Sequence, residues 1–158
     1  MKPSTPNIDR LASNGIILNN FYTYALCTPS RAALMSGIFV ERSGLQHSVI
    51  ETPVPIGLPE HFKLMPSYFK KFGYSTHLIG KWHLGSCNLK YTPVNRGFDT
   101  FYGFFGALNE YMSHRMDYFV HGKKFSGLDF WDQTKDYLEP VIDKNNTHSQ
   151  VFLKLNLH

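Results

Sequence analysis

Four residues carry the chemistry legible in this sequence. Cys27 and Arg31 lie in LCTPSRAALMSG, and Lys81 and His83 lie in GYSTHLIGKWHLG. Thr28 can cap a helix and Pro29 can start one, which places Cys27 beside a helix N-terminus. Unpaired backbone N–H groups and the helix dipole favour negative charge there. Arg31, a turn in, adds a fixed positive charge. Such a setting suits a nucleophile or an anion site; the alternative is a partly buried free cysteine beside a structural arginine. Lys81 and His83 fall just past the carboxyl end of a short strand, where open α/β sheets place ligand sites. Lysine is a point charge for an oxyanion, and a histidine two residues on can donate to it or shuttle a proton. Spacing alone would equally allow a surface lysine and a hydrogen-bonded loop histidine. Two oxyanion-friendly stretches in one short chain strengthen each other.

The surrounding pattern supplies elements to position these groups. Thr5-Pro6 reads as a helix entrance, Ile8, Leu11 and Ala12 share one face, and Asn14-Gly15 reads as a left-handed stop. Ile16 to Tyr24 is apolar and aromatic and predicts a strand, followed by the helix from Pro29 that ends at Gly37. Pro53, Pro55 and Pro59 make Glu51 to Pro59 a loop. Met65, Tyr68, Phe69 and Phe72 recur at helical spacing between Pro66 and Gly73. Tyr74 to Gly80 predicts a strand, and Phe98 to Phe105 an aromatic strand broken by Gly103. Asp117 to Phe125 predicts a hairpin turning near His121-Gly122, and Thr147 with Gln150 opens a final helix bearing Val151, Phe152 and Leu155. Helix leading into strand predicts an α/β layer architecture.

Bulk properties narrow the class. The 158 residues suffice for one domain, and 42% hydrophobic with 18% charged content is globular composition. Thirteen Phe and nine Tyr need large surfaces to pack against. The net charge of +4 is spread thinly, with only the pairs Lys70-Lys71 and Lys123-Lys124, which argues against nucleic acid. Cys27 and Cys87 make neither a disulfide framework nor a zinc pattern. No apolar run approaches the ~18 residues of a membrane span. MKPSTPNIDRLAS lacks the layout of a signal peptide, which taken literally leaves this chain in the cytosol.

Together the two stretches resemble the signatures of the sulfatase family. CTPSRAALMSG is similar to the first, with Ser36 where threonine is usual, and GYSTHLIGKWHLG matches the second throughout. TPNIDRLASNGIILNNFY, GLQHSVI and RGFDTFYGFFG resemble the arylsulfatase B branch in particular, and the resemblance covers most of residues 5 to 115. It implies an α/β fold of the alkaline-phosphatase-like kind. Residues 1–158 would form part of the N-terminal catalytic domain, with a partial central sheet, flanking helices and truncation at both ends. It implies a sulfuric ester hydrolase acting on sulfated sugars, glycosaminoglycans or aryl sulfates. Cys27 would be oxidised to formylglycine by a modifying enzyme that reads the following Pro-Ser-Arg. One hydroxyl of the hydrated aldehyde would attack sulfur, and the other would expel sulfate. By the same resemblance Cys27, as formylglycine, would ligate a Ca2+ ion that activates the hydroxyl and neutralises sulfate oxygens. Arg31 would hold the formylglycine, Lys81 would bind a sulfate oxygen, and His83 would hydrogen-bond the formylglycine hydroxyl. Ser113 and His114, in EYMSHRMD, resemble a pair that contacts the site in some relatives; a polar loop is the other reading.

The resemblance also sets out what this stretch does not carry. An acidic pair expected before TPNID, a later Asp-Asn pair, and later His and Lys residues fall outside it, so the isolated chain is expected not to hold calcium tightly. Cys87 lies where relatives can have a disulfide cysteine, without a sensible partner here. Asn145-Asn146-Thr147 is an N-glycosylation sequon, meaningful if the protein follows the lysosomal or secreted route that the family implies. The competing function is a non-catalytic fragment or decoy. A cysteine phosphatase needs a longer spacing between cysteine and arginine than Thr28, Pro29 and Ser30 provide. Aromatics in strands and on a helix face read as core, rather than as a carbohydrate-binding module.

Overall fold

The computed structural model describes residues 4–51, 54–120 and 122–141. The final helix expected from Thr147, and Asn145, lie outside these residues. Helix α1 spans Pro6–Ser13, with proline in its first turn as the sequence predicts. Thr5 does not cap it: its hydroxyl donates to Asp9 Oδ1 at 3.0 Å instead of accepting a backbone N–H. The apolar face of α1 finds no cover, and Ile8 and Leu11 are exposed.

Residues 16–24 form no strand. Ile16, Ile17, Leu18, Phe21 and Tyr22 are all exposed. A strand is stabilised by cross-strand pairing, and this segment has no partner among the described residues. Helix α2 spans Cys27–Ser36 and ends at Gly37 in the left-handed conformation (φ 70°), as predicted. It starts two residues earlier than the proline suggested. Leu26 is the flanking residue, so Cys27 is the first residue of the helix rather than a neighbour of it. Thr28 is consequently inside the first turn, fully buried, and not a cap.

Helix α3, Met65–Phe69, tightens into a 3-10 turn over Lys70–Phe72 and stops at left-handed Gly73, the end its sequence predicts. Strand β1, His77–Lys81, pairs in parallel with β2, Thr100–Phe104. Strand β5, Trp131–Gln133, is antiparallel to β2, and β6, Leu138–Pro140, is antiparallel to β5, giving the order β1-β2-β5-β6. Strands β3, Arg115–Val120, and β4, Lys123–Leu128, form a separate hairpin, in agreement with the predicted turn. Gly103 does not break β2. It faces Gly80 in register, and a Cβ there would lie 2.0 Å from the Gly80 carbonyl oxygen, so glycine permits the close approach of the strands.

The core packs on one side of this sheet. Trp82, Phe98, Phe101, Phe105 and Trp131 are buried with Leu58, Leu64, Leu84, Val40 and Ala32. Phe101 stacks on Phe105 at 5.1 Å, and Phe105 meets Trp131 at 5.6 Å. Two buried charged groups hold the loops to this core. Arg96 donates to the carbonyls of Leu58, Pro59 and Phe62. Asp129 accepts from the backbone N–H groups of Phe105 and Gly106 and from Trp131 Nε1, at 3.0, 2.7 and 2.9 Å. No helix among the described residues is long and apolar enough to cross a membrane.

Candidate functional site

The start of α2 and the end of β1 meet, and two hydrogen bonds hold them together. Arg31 Nη1 donates to the Lys81 carbonyl at 2.7 Å. Thr28 Oγ1 donates to the His83 carbonyl at 3.1 Å. Past Lys81 the ladder to β2 continues, with Trp82 N–H donating to Phe104 O at 2.9 Å and His83 N–H to Phe105 O at 3.0 Å. The Trp82 indole donates to the carbonyls of Gly85 and Tyr91, both at 3.0 Å. Lys81 and His83 therefore sit on fixed backbone rather than on a free loop.

Cys27, Ser30, Arg31 and Lys81 are among the residues that line a cleft of about 870 Å³. The rest of its wall is largely apolar and includes Phe21, Tyr22, Leu26, Leu34 and Phe39. Cys27 is exposed to this cleft, while Arg31 and Lys81 are half-buried. Burial pulls the Arg31 guanidinium below its ordinary value, and the neighbouring Cys27 opposes that shift. A thiol at the first residue of a helix with two cations beside it makes one anion-friendly corner.

His83 is 1% exposed and adopts φ 59°, an uncommon backbone state for a side-chain-bearing residue. Its Nε2 lies 2.9 Å from the Ile50 carbonyl oxygen. A carbonyl can only accept, so Nε2 carries the proton and Nδ1 presents a lone pair. Nδ1 is buried and has no hydrogen-bond partner among the described residues. Burial first, then the charges of Lys81 and Arg31, pushes the His83 imidazole down to about 4, against the bond to Ile50. It is neutral at physiological pH.

The structure thus brings Cys27, Arg31 and Lys81 to one cleft and sets His83 behind them within reach of both cationic fields. Ser113 and His114 lie elsewhere, in the turn before β3, outside the cleft's lining. Ser113 N–H donates to Glu110, and the His114 ring stacks on Phe130 at 4.2 Å. Two contributors escape a reading by residue type. Thr28 looks like a cap, and Ile50 acts through its backbone alone.

Among the described residues no three His, Cys, Asp or Glu side chains gather where they could hold a metal ion. Calcium takes about six oxygen ligands, whereas the polar side chains lining this cleft are a thiol, hydroxyls and two cations, with no carboxylate among them. The described residues do not fit a calcium site.

The sequence profile of the sulfatase family matches residues 1–156. Mouse arylsulfatase J is 43% identical over 110 residues, covering 70% of this chain and 18% of that protein. Human N-acetylgalactosamine-6-sulfatase is 40% identical over 107 residues, covering 63% of this chain and 20% of its own length. Human steryl-sulfatase is 46% identical over 110 residues, with shares of 63% and 19%. The chain thus spans about a fifth of the length of these relatives. Among solved structures, the PsFucS1 sulfatase from Pseudoalteromonas sp. superposes with a TM-score of 0.55 at 40% identity, over 66% of this chain and 21% of that one. Ps i-CgsB in complex with k-i-k-neocarrahexaose gives a TM-score of 0.57 at 34% identity, over 68% and 24%. The parallel β1–β2 pair, its antiparallel extension and the flanking helices form part of the alkaline-phosphatase-like α/β fold. With the family profile matched along nearly the whole sequence, this chain belongs to the sulfatase family.

Proposed function

We propose that the full-length protein hydrolyses sulfate esters and that residues 1–158 supply its nucleophile and part of its sulfate-binding wall. One observation carries this reading: Cys27, Arg31 and Lys81 line one cleft, with Arg31 bonded to the Lys81 backbone. In this reading a modifying enzyme, with dioxygen as the oxidant, converts the Cys27 side chain to the aldehyde of formylglycine, the sulfur leaving as hydrogen sulfide, and the aldehyde hydrates to a geminal diol. One hydroxyl gives up its proton and attacks sulfur. The bond from sulfur to the alcohol oxygen breaks, the alcohol leaves with a proton, and the sulfate remains on the enzyme. The second hydroxyl then gives up its proton as the carbon–oxygen bond to sulfate breaks. The aldehyde re-forms and water adds to restore the diol. Arg31 and Lys81 place positive charge where the sulfate oxygens gain negative charge. The unpaired Nδ1 of His83 is an acceptor suited to a hydroxyl of the diol.

The substrate class is a sulfated sugar, a glycosaminoglycan or, in assay, an aryl sulfate, with the arylsulfatase B branch as the specific kin. The names of relatives such as N-acetylgalactosamine-6-sulfatase support the sugar class. Modification of Cys27 and use of Asn145 as a glycosylation site both require the lysosomal or secreted route. Because the described residues do not fit a calcium site, residues 1–158 alone are expected to be inactive.

The test is to express the full-length protein through a secretory route. Mass spectrometry of the peptide containing residue 27 reads the modification, and release of 4-methylumbelliferone from its sulfate reads activity. Formylglycine at position 27, with hydrolysis that Cys27→Ala abolishes, is the expected result. Undiminished hydrolysis by Cys27→Ala, or a fully modified enzyme inert on aryl and sugar sulfates, would overturn the proposal.

A further inference from the structure

We infer that Thr28 is a positioning residue for this site: it sets the orientation and tautomer of His83 through the backbone of Ile50. The inference rests on the sulfate ester hydrolase reading above. Thr28 is fully buried in the first turn of α2, adjacent to the residue read as the nucleophile. Its hydroxyl donates to the His83 carbonyl at 3.1 Å and accepts the Ile50 N–H at 3.0 Å. The Ile50 carbonyl in turn accepts from His83 Nε2 at 2.9 Å. Three residues from distant parts of the chain close a loop: hydroxyl to histidine backbone, Ile50 N–H to hydroxyl, histidine ring to Ile50 carbonyl. The N–H and the C=O of Ile50, on the two peptide planes that flank its Cα, are both engaged in it.

This arrangement has a directional consequence. A hydroxyl has one proton, and Thr28 gives it to the His83 carbonyl, which leaves its lone pairs for the Ile50 N–H. That anchors the backbone of Ile50 beside His83, and the Ile50 carbonyl on the next peptide plane faces the imidazole. A carbonyl there admits only the tautomer protonated on Nε2, so Nδ1 is left as a buried acceptor without a partner among the described residues. Ring orientation and tautomer are thereby set by a hydroxyl that touches neither ring nitrogen. Serine retains both hydrogen bonds of position 28. Valine keeps the shape but strips the hydroxyl, leaving the Ile50 N–H unpaired in a buried place.

The experiment compares Thr28→Val and Thr28→Ser with wild type in the full-length protein, at equal formylglycine content measured by mass spectrometry. Two readouts are taken. Long-range 1H–15N correlation on 15N-histidine-labelled protein, with His83 assigned from a His83→Gln variant, reports the tautomer without reference to activity. Steady-state kinetics on 4-methylumbelliferyl sulfate report kcat and KM separately. Wild type and Thr28→Ser are expected to show His83 protonated on Nε2 alone. Thr28→Val is expected to show a mixture of tautomers. It should also lose roughly ten- to a hundredfold in kcat, with KM changed by less than about threefold and the acid limb of the pH–kcat profile moved to higher pH. An unmixed Nε2 tautomer in Thr28→Val would overturn the inference, as would equal kcat losses in the Val and Ser variants. If wild type shows the tautomer effect but hydrolyses no sulfate ester, the positioning stands as structure. The hydrolase reading, and with it the catalytic purpose assigned to Thr28, fails.

Discussion

Arg31 Nη1 donates to the backbone carbonyl of Lys81 at 2.7 Å, so the guanidinium of one signature holds the backbone of the other. Arg31 is half-buried, and its loss would uncouple α2 from β1 at the cleft. Replacing it by lysine keeps the charge but not the planar fork. Arg31→Lys is expected to cost about 1–3 kcal/mol in denaturant unfolding. It should also lower the kcat of the full-length protein, because the Lys81 backbone loses its anchor at the cleft. An Arg31→Lys protein as stable as wild type would show that the bond carries no stabilising weight.

Gly103 allows β1 and β2 to approach where Gly80 faces it. A Cβ at Gly103 would sit 2.0 Å from Gly80 O, against backbone that cannot swing aside. Gly103→Ala should therefore force the parallel pair apart and cost about 3 kcal/mol or more. Gly73, left-handed at φ 80° with open space around it, is the control. Gly73→Ala pays only for the backbone state, about 1 kcal/mol. Equal midpoints for the two variants in urea unfolding would contradict this account.

Arg96 ties the Leu58–Phe62 segment to the core through three carbonyls. Arg96→Met fills similar space but removes the guanidinium donor from the Leu58 and Phe62 carbonyls, while the Pro59 carbonyl keeps the Phe62 N–H. The expected loss is about 3 kcal/mol, with faster amide exchange at residues 58–62 as the local signature. Unchanged exchange in that segment would mean that other contacts hold it.

His83 and Asp99 contribute to the pH dependence of stability in separate windows, alongside Glu110 and Asp117, whose carboxyls are also held below their ordinary values. Burial holds His83 at about 4, below its ordinary value of 6.5. Between those values the unfolded chain takes up a proton that the folded chain refuses. The stability present above about pH 6.5 therefore falls as pH drops toward 4, by at most about 3 kcal/mol. Asp99, bonded to Lys70 and to the Thr76 N–H, is held at about 2, below its ordinary 3.8. Its contribution is present above about 3.8 and is lost as pH falls further. Thermal melts from pH 8 to 2 should show both declines. His83→Gln should flatten only the first, and Asp99→Asn only the second. A melting temperature flat from pH 7 to 4 in wild type would refute the assignment to His83.

The sequence by itself determined the features that depend on near neighbours. Left-handed Gly37 and Gly73 end their helices, and the β3–β4 hairpin turns where its residues predict. Cys27 and Arg31 come together within a single helical turn, and Lys81 and His83 follow from the end of one strand. Tertiary structure decided whatever needed a partner far along the chain. Residues 16–24 have strand composition yet form no strand, because backbone groups pair only with a neighbouring strand and none lies beside them among the described residues. Gly103 looks like a break and is instead the point of closest strand approach, which depends on Gly80 lying opposite it. Thr28 looks like a cap and instead joins His83 to Ile50, residues 55 and 22 positions away. A hydroxyl's role is set by which donors and acceptors the fold brings within about 3 Å of it, and that proximity is not written in local sequence.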